Sequence, residues 1–127
     1  MKKLLGILML AGLAFGAPAE VKKMSADELK ETLAKKSDIY FLDVRESKEL
    51  EERGSVKGYV NIPLGQLEGR LSEIPKDKTI ITACEHGVRA TKAAAILEKN
   101  GFQVLAACGL AEWREKKYPV VHPKPAK

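Results

Sequence analysis

Thr79-Ile80-Ile81-Thr82-Ala83-Cys84-Glu85-His86-Gly87-Val88-Arg89, with the alanine-rich run that follows it to Asn100-Gly101, decides the fold of this chain. Thr79 to Ala83 is short, rich in β-branched residues and lacks alternation. That pattern marks a strand buried on both faces. The alanine-rich run suits a helix, and Asn100-Gly101 is a fitting C-terminal stop. A cysteine therefore sits where a buried strand meets a helix N-terminus. Backbone N–H groups there lack helical partners and point into the turn, which suits a thiolate or another anion. The thiolate is the reactive form of cysteine. Arg89 adds a fixed charge and a planar fork of donors, and Gly87 lets the backbone turn tightly and approach a ligand. A lone cysteine is also often a small buried hydrophobe. The order strand, Cys, loop, Arg, helix is what favours the reactive reading of Cys84.

Outward from this centre, strands alternate with helices. Ser25-Ala26-Asp27-Glu28 has the capping-box pattern and opens a helix to about Lys36, with Leu29 and Leu33 on its apolar stripe. Ile39 to Leu42 is a second buried strand, ending on Asp43-Val44-Arg45, where open α/β sheets place their sites. A structural ion pair or a cap is the plainer account of Asp43 and Arg45, and both accounts stand. Glu46 to Arg53 predicts a charged helix with a solvated face, Leu50 turned inward and Gly54 as its end. A short strand is expected near Tyr59 to Ile62, and a short amphipathic helix over Gly65 to Glu73. Phe102 to Leu105 reads as a strand, and Ala106-Ala107-Cys108-Gly109 as a small-residue turn. Leu110 to Lys117 reads as a helix anchored by Trp113, and Tyr118 to Lys127 as a proline-containing tail. The alternation predicts an α/β fold, a mostly parallel sheet with helices on both faces.

A chain of 127 residues suggests one domain. Its start has a signal-peptide pattern: Lys2-Lys3, the apolar run Leu4 to Phe15, and Ala17-Pro18-Ala19. The expectation is a signal peptide over 1–19, a domain over 20–127, and a periplasmic or secreted location. The apolar run is too short to span a bilayer comfortably, so no stable membrane insertion is expected after cleavage. Loss of Lys2 and Lys3, with no acid removed, lowers the formal charge from +5 to +3. The charges are scattered, with no basic stripe interleaved with aromatics, which argues against nucleic acid as a partner. Two Cys and two His are too dispersed for a metal site, and no cofactor is expected. In an exported chain the two cysteines also admit a structural disulfide.

The landmarks stand in a telling order: Leu42-Asp43-Val44-Arg45, then Gly58-Tyr59-Val60-Asn61-Ile62-Pro63, then Cys84-Glu85-His86-Gly87-Val88-Arg89. Lys92-Ala93-Ala94 with Gly101-Phe102 follows, and then Gly109 four residues before Trp113. In these the chain resembles the single-domain rhodanese-like proteins, the sulfurtransferase family, from about Ser25 to Val120. The resemblance implies a sheet of about five parallel strands. It implies Cys84 as the nucleophile, carrying a sulfane sulfur as a persulfide and passing it to a thiophilic acceptor, with ping-pong kinetics. It implies a substrate cradle of Glu85, His86, Gly87, Val88 and Arg89, with Arg89 holding an anionic donor. The implied partners are small sulfur-containing anions such as thiosulfate or polysulfide, and a protein sulfur acceptor.

Several positions depart from the family pattern. Ser55 stands where the family often has His, a change read as structural. Ala90 replaces a Ser or Thr and removes one hydroxyl donor to the thiolate. Glu85 places a negative charge beside the nucleophile. It opposes an anionic donor if it faces the pocket and does little if it faces solvent. His86 is either a titrating neighbour of the thiolate or a partly exposed loop residue. Cys108 replaces a Gly in a turn expected on the same sheet edge as the Cys84 loop. It is a resolving thiol that closes a disulfide with Cys84, half of a permanent disulfide, or an unpaired core residue. The rival functions are a non-catalytic sulfur carrier or binding module and a Cys84–Cys108 thiol-redox protein. A cysteine phosphatase is disfavoured, because the four residues 85–88 make a shorter loop than phosphate requires.

Overall fold

The computed structural model describes residues 21–124. The expected signal peptide over 1–19 lies outside the described residues, as does the very end of the tail. The strands are β1 (Lys23–Met24), β2 (Ile39–Asp43), β3 (Val60–Asn61), β4 (Thr79–Cys84) and β5 (Gln103–Gly109). The helices are α1 (Ala26–Lys35), α2 (Ser47–Arg53), α3 (Leu64–Leu67), α4 (Val88–Lys99) and α5 (Leu110–Glu115), with a 3₁₀ segment over Glu68–Glu73 after α3. The five strands form one sheet in the order β1-β5-β4-β2-β3, and every pairing is parallel.

β4 is the middle strand, which explains its unbroken apolar run. Ile80, Ile81, Thr82 and Ala83 are all fully buried because helices cover both faces. On one face, Leu29 of α1 and Leu110 and Trp113 of α5 pack with Phe41, Ile81 and Ala106. On the other, Leu67, Ala90, Ala93 and Leu97 pack with Leu42, Ile80 and Cys84. The capping box at α1 forms as its sequence predicts: Glu28 N donates to Ser25 Oγ at 3.1 Å, and Ser25 N donates to Glu28 Oε1 at 3.0 Å.

One expectation is corrected, and two features are added to the sequence reading. The small residues Ala106 to Gly109 continue β5 instead of turning. β5 is paired on both sides, by β1 and β4, and a filled hydrogen-bond ladder overrides weak strand propensity. β1 itself carries no local strand signal; its two residues are held by pairing with Ala107 and Cys108. The tail is partly anchored, since Val121 and Ser55 exchange N–H···O bonds of 2.8 Å, and Trp113 Nε1 donates to Pro119 O at 2.8 Å.

The register between β4 and β5 shifts between Ile80 and Ile81, which pair with Val104 and Ala106 and leave Leu105 as an extra residue. Val104 packs on the α3/α4 face, whereas Leu105 and Ala106 both pack on the α1/α5 face. A one-residue insertion exchanges the faces of every side chain beyond it. Ala107 therefore joins the cluster of Cys84, and Cys108 joins the opposite one.

Candidate active site

Cys84 is the last residue of β4 and is 1% exposed. Its Sγ accepts hydrogen bonds from Gly87 N at 3.0 Å and Ala90 N at 3.2 Å. Gly87 caps α4 with φ of 93°, a left-handed conformation that favours glycine. Ala90 N is one of the first-turn amides that have no helical acceptor. The sulfur thus occupies the anion position of a helix N-terminus, faced by two amide donors. Hydrogen bonds to a charged partner are worth roughly 1.5–3 kcal/mol each, so the arrangement suits an anionic sulfur more than a neutral one. Although Ala90 has no hydroxyl, its backbone supplies a donor. Buried Thr82 donates from Oγ1 to Ala90 O at 2.8 Å, tying β4 to the start of α4.

The loop rests on Gly109, the register partner of Cys84 on β5. A Cβ at Gly109 would lie 2.9 Å from both Glu85 O and the His86 carbonyl carbon. Only a bare Cα lets the loop sit this close. Ala111 N also donates to Glu85 O at 3.0 Å, fixing the loop to the start of α5.

Glu85 faces neither the pocket nor open solvent. Its carboxylate is 10% exposed and lies among Arg45 (3.3 Å), Arg53 (3.4 Å) and Arg114, whose Nη1 donates at 3.0 Å and whose Nη2 donates to the other oxygen. The Arg114 guanidinium, aided by Arg53 and Arg45, holds this carboxyl below the usual carboxylate range. Beneath it, Asp43 and Arg45 are both fully buried. Arg45 grips both Asp43 oxygens, from Nε at 3.0 Å and Nη2 at 2.7 Å, and Nη2 also donates to Gly54 O at 2.9 Å. Ser55 Oγ donates to Asp43 at 2.6 Å. Ser55, in the place of the family's His, thus satisfies a buried carboxylate. Asp43 and Arg45 form the foundation of the loop, a buried pair with its hydrogen-bonding groups engaged.

Arg89 makes a fork-to-fork pair with Glu49: Nη1 donates to Oε2 at 2.8 Å and Nη2 to Oε1 at 3.0 Å. The Arg89 hydrogen bonds draw the Glu49 carboxyl down from the ordinary 4.5 to about 2. The charged face of α2 is therefore not simply solvated: Glu49 reaches Arg89, and Arg53 reaches Glu85. Sequence reasoning missed Glu49, Arg53 and Arg114. The Glu49–Arg89 partners lie 40 residues apart and the Glu85–Arg114 partners 29, so no local pattern announces them.

His86 is exposed at the loop rim beside Val88, which is 64% exposed. Next to the loop is an open cavity of about 410 Å³, lined in part by Lys23, His86, Val88, Lys92 and Cys108. Cys108 is 4% exposed, on the α1/α5 side of the sheet. Burial first, then nearby Asp43 and Cys84, push its thiol pKa up. Both cysteines are free. Cys108 pairs in register with Ala83, so the two cysteines lie at the C-terminal ends of neighbouring strands, Cys84 last on β4 and Cys108 next to last on β5. Their side chains nevertheless leave opposite faces, and a disulfide needs Cβ vectors that converge. Of the three roles open to Cys108, this placement matches the unpaired core residue, and the bulge at Leu105 is its cause. Among the described residues there is no cluster of three metal-ligating side chains and no helix long and apolar enough to cross a membrane.

Comparison with known proteins agrees with this geometry. The sequence profile of the rhodanese-like domain matches residues 25–116. A protein of Allochromatium vinosum named sulfurtransferase is 29% identical over 106 residues, covering 82% of this chain and 98% of that protein. The crystal structure of a rhodanese-related protein from Thermoplasma volcanium aligns with a TM-score of 0.71 at 32% identity, covering 79% of this chain and 97% of that one. A rhodanese-like domain protein from Staphylococcus aureus aligns with a TM-score of 0.66 at 28% identity, over 72% and 90% of the two chains. With the five parallel strands in place and the cysteine loop at the end of the middle one, this chain belongs to the rhodanese-like domain family.

Proposed function

We propose that the protein is a sulfurtransferase that moves a sulfane sulfur from thiosulfate or polysulfide, through a Cys84 persulfide, to a thiophilic acceptor. The observation that carries this reading is the Cys84 sulfur held by the Gly87 and Ala90 amides at the start of α4. In the first half-reaction the Cys84 thiolate attacks the outer sulfur of thiosulfate. A new S–S bond forms, the old one breaks, and sulfite leaves with the electron pair. In the second, an acceptor thiolate attacks the terminal sulfur of the persulfide, takes it, and returns Cys84 as thiolate. The loop amides receive negative charge on sulfur at each stage. Glu85 does not oppose an anionic donor, because its charge is spent on three arginines. Placement of the cysteines on opposite faces weighs against the thiol-redox alternative. Export is part of the proposal and rests on the sequence of residues 1–19. N-terminal sequencing of the exported protein should begin at Glu20.

The deciding experiment incubates reduced protein with thiosulfate, and separately with polysulfide, and reads intact mass. The expected result is a gain of one sulfur that vanishes in Cys84→Ser and survives in Cys108→Ser. Turnover with an added thiol acceptor separates a transferase from a carrier that loads once. No gain from either donor sinks the reading.

A further inference from the structure

We propose that Glu49 is a specificity-determining residue that masks Arg89, so that the Cys84 loop takes a dianionic sulfur donor less readily than a monoanionic one. The inference deepens the sulfurtransferase reading and rests on it.

Arg89 is the cation of the loop itself, and both of its terminal nitrogens are committed to Glu49. The pair is geometrically complete, two parallel N–H···O bonds of 2.8 and 3.0 Å, and as a unit it carries no net charge. Because the Arg89 hydrogen bonds hold the Glu49 carboxyl at about 2, the paired, charged form persists at neutral pH. The other arginines around the loop, Arg45, Arg53 and Arg114, share Glu85 and Asp43, and the one positive charge left over in that cluster is unaffected by a change at Glu49. Lys23 and Lys92 line the neighbouring cavity and attract any anion, but a change at Glu49 leaves them untouched. Glu49 is thus the charge whose removal frees the loop arginine.

Two donors isolate the effect. Thiosulfate carries two negative charges and benzenethiosulfonate one. Each gives its outer sulfur to the Cys84 thiolate by cleavage of one S–S bond, releasing sulfite or benzenesulfinate with the electron pair. Glu49→Gln removes the charge, keeps a carbonyl oxygen for Arg89, and keeps the capping box that Glu49 makes with Glu46 N at 2.9 Å, since Gln serves at that position. The expected result is a fall in the thiosulfate KM of roughly 3- to 10-fold, with a smaller fall for benzenethiosulfonate, both shrinking as salt is raised. The change falls on KM and not on kcat. Glu49→Asp, which keeps the charge, retains the parental ratio of the two donors. Glu49→Ala, which removes the charge with different packing, shifts the ratio in the same direction as Glu49→Gln. A purely structural role predicts instead that Glu49→Gln lowers kcat/KM for both donors by one common factor. That result, or an unchanged donor ratio in both uncharged variants, overturns the assignment while leaving the sulfurtransferase reading intact. Failure of both donors to load Cys84 in the parent protein removes both.

Discussion

Cys84 and Cys108 lie near the C-terminal ends of neighbouring parallel strands, one register step apart, and yet their surroundings are chemically unlike. Cys84 faces α4, and its sulfur accepts two amide hydrogen bonds at a helix N-terminus. Cys108 faces the opposite layer among Met24, Leu110 and Trp113, and its burial keeps the thiol protonated. The same side chain in nearly the same place meets two amide donors or an apolar core according to which face of the sheet it leaves. The proposed reactivity of Cys84 rests on the donors around the sulfur more than on the residue type.

The comparison breaks most visibly if the proposed nucleophile is removed. Cys84→Ser should slow sulfur loading by roughly 10³-fold or more, read as the rate of persulfide formation by mass. Removing the foundation of the loop should cost the most stability. Arg45→Ala leaves Asp43 buried without its partner, and denaturant unfolding should show a loss of about 3–5 kcal/mol. Gly109→Ala sharpens the role of close packing. A methyl 2.9 Å from the Glu85 and His86 backbone must displace the loop. A stability loss of about 1–3 kcal/mol is expected, with loading slowed on the order of 10- to 100-fold. A loading rate equal to that of the parent would show that the loop does not depend on this contact.

Cys108→Ala tests the other half of the comparison. It should lower stability by about 1 kcal/mol through lost apolar contact and leave sulfur loading within about twofold. A larger loss of activity would give Cys108 a role in the chemistry. The smallest effect concerns acid. The Glu49 carboxyl titrates lower in the folded chain than in the unfolded one, so its pairing with Arg89 stabilises fully above about pH 4.5. That contribution is lost as pH falls toward 2. The pair is partly exposed, so solvent screening limits the effect to about 1 kcal/mol or less. Glu49→Gln should flatten the decline of Tm across that interval by a corresponding amount, and an unchanged slope would assign the acid sensitivity to other carboxylates.

Much of the fold was legible because it is written in local patterns. The buried run of β4, the capping box at Ser25 and Glu28, and the stop at Asn100-Gly101 each depend on residues a few positions apart. The loop of Cys84 was legible for the same reason, since strand end, Gly87 and Arg89 are contiguous. β1 was not legible, because two residues make a strand only by pairing with β5. Nor was the extension of β5 through Ala106 to Gly109, where small residues suggest a turn until both neighbours are in place.

The amino-acid sequence by itself determined the central strand, the cysteine at its end and the helix whose N-terminus receives it. Hydrophobic period and capping chemistry are properties of neighbours along the chain. Tertiary structure alone decided three things. The bulge at Leu105 sent Cys108 to the far face, Glu85 fell among three arginines, and Glu49 closed on Arg89 across 40 residues. Each depends on strand register or on the packing of separate elements, where a shift of one residue inverts the outcome.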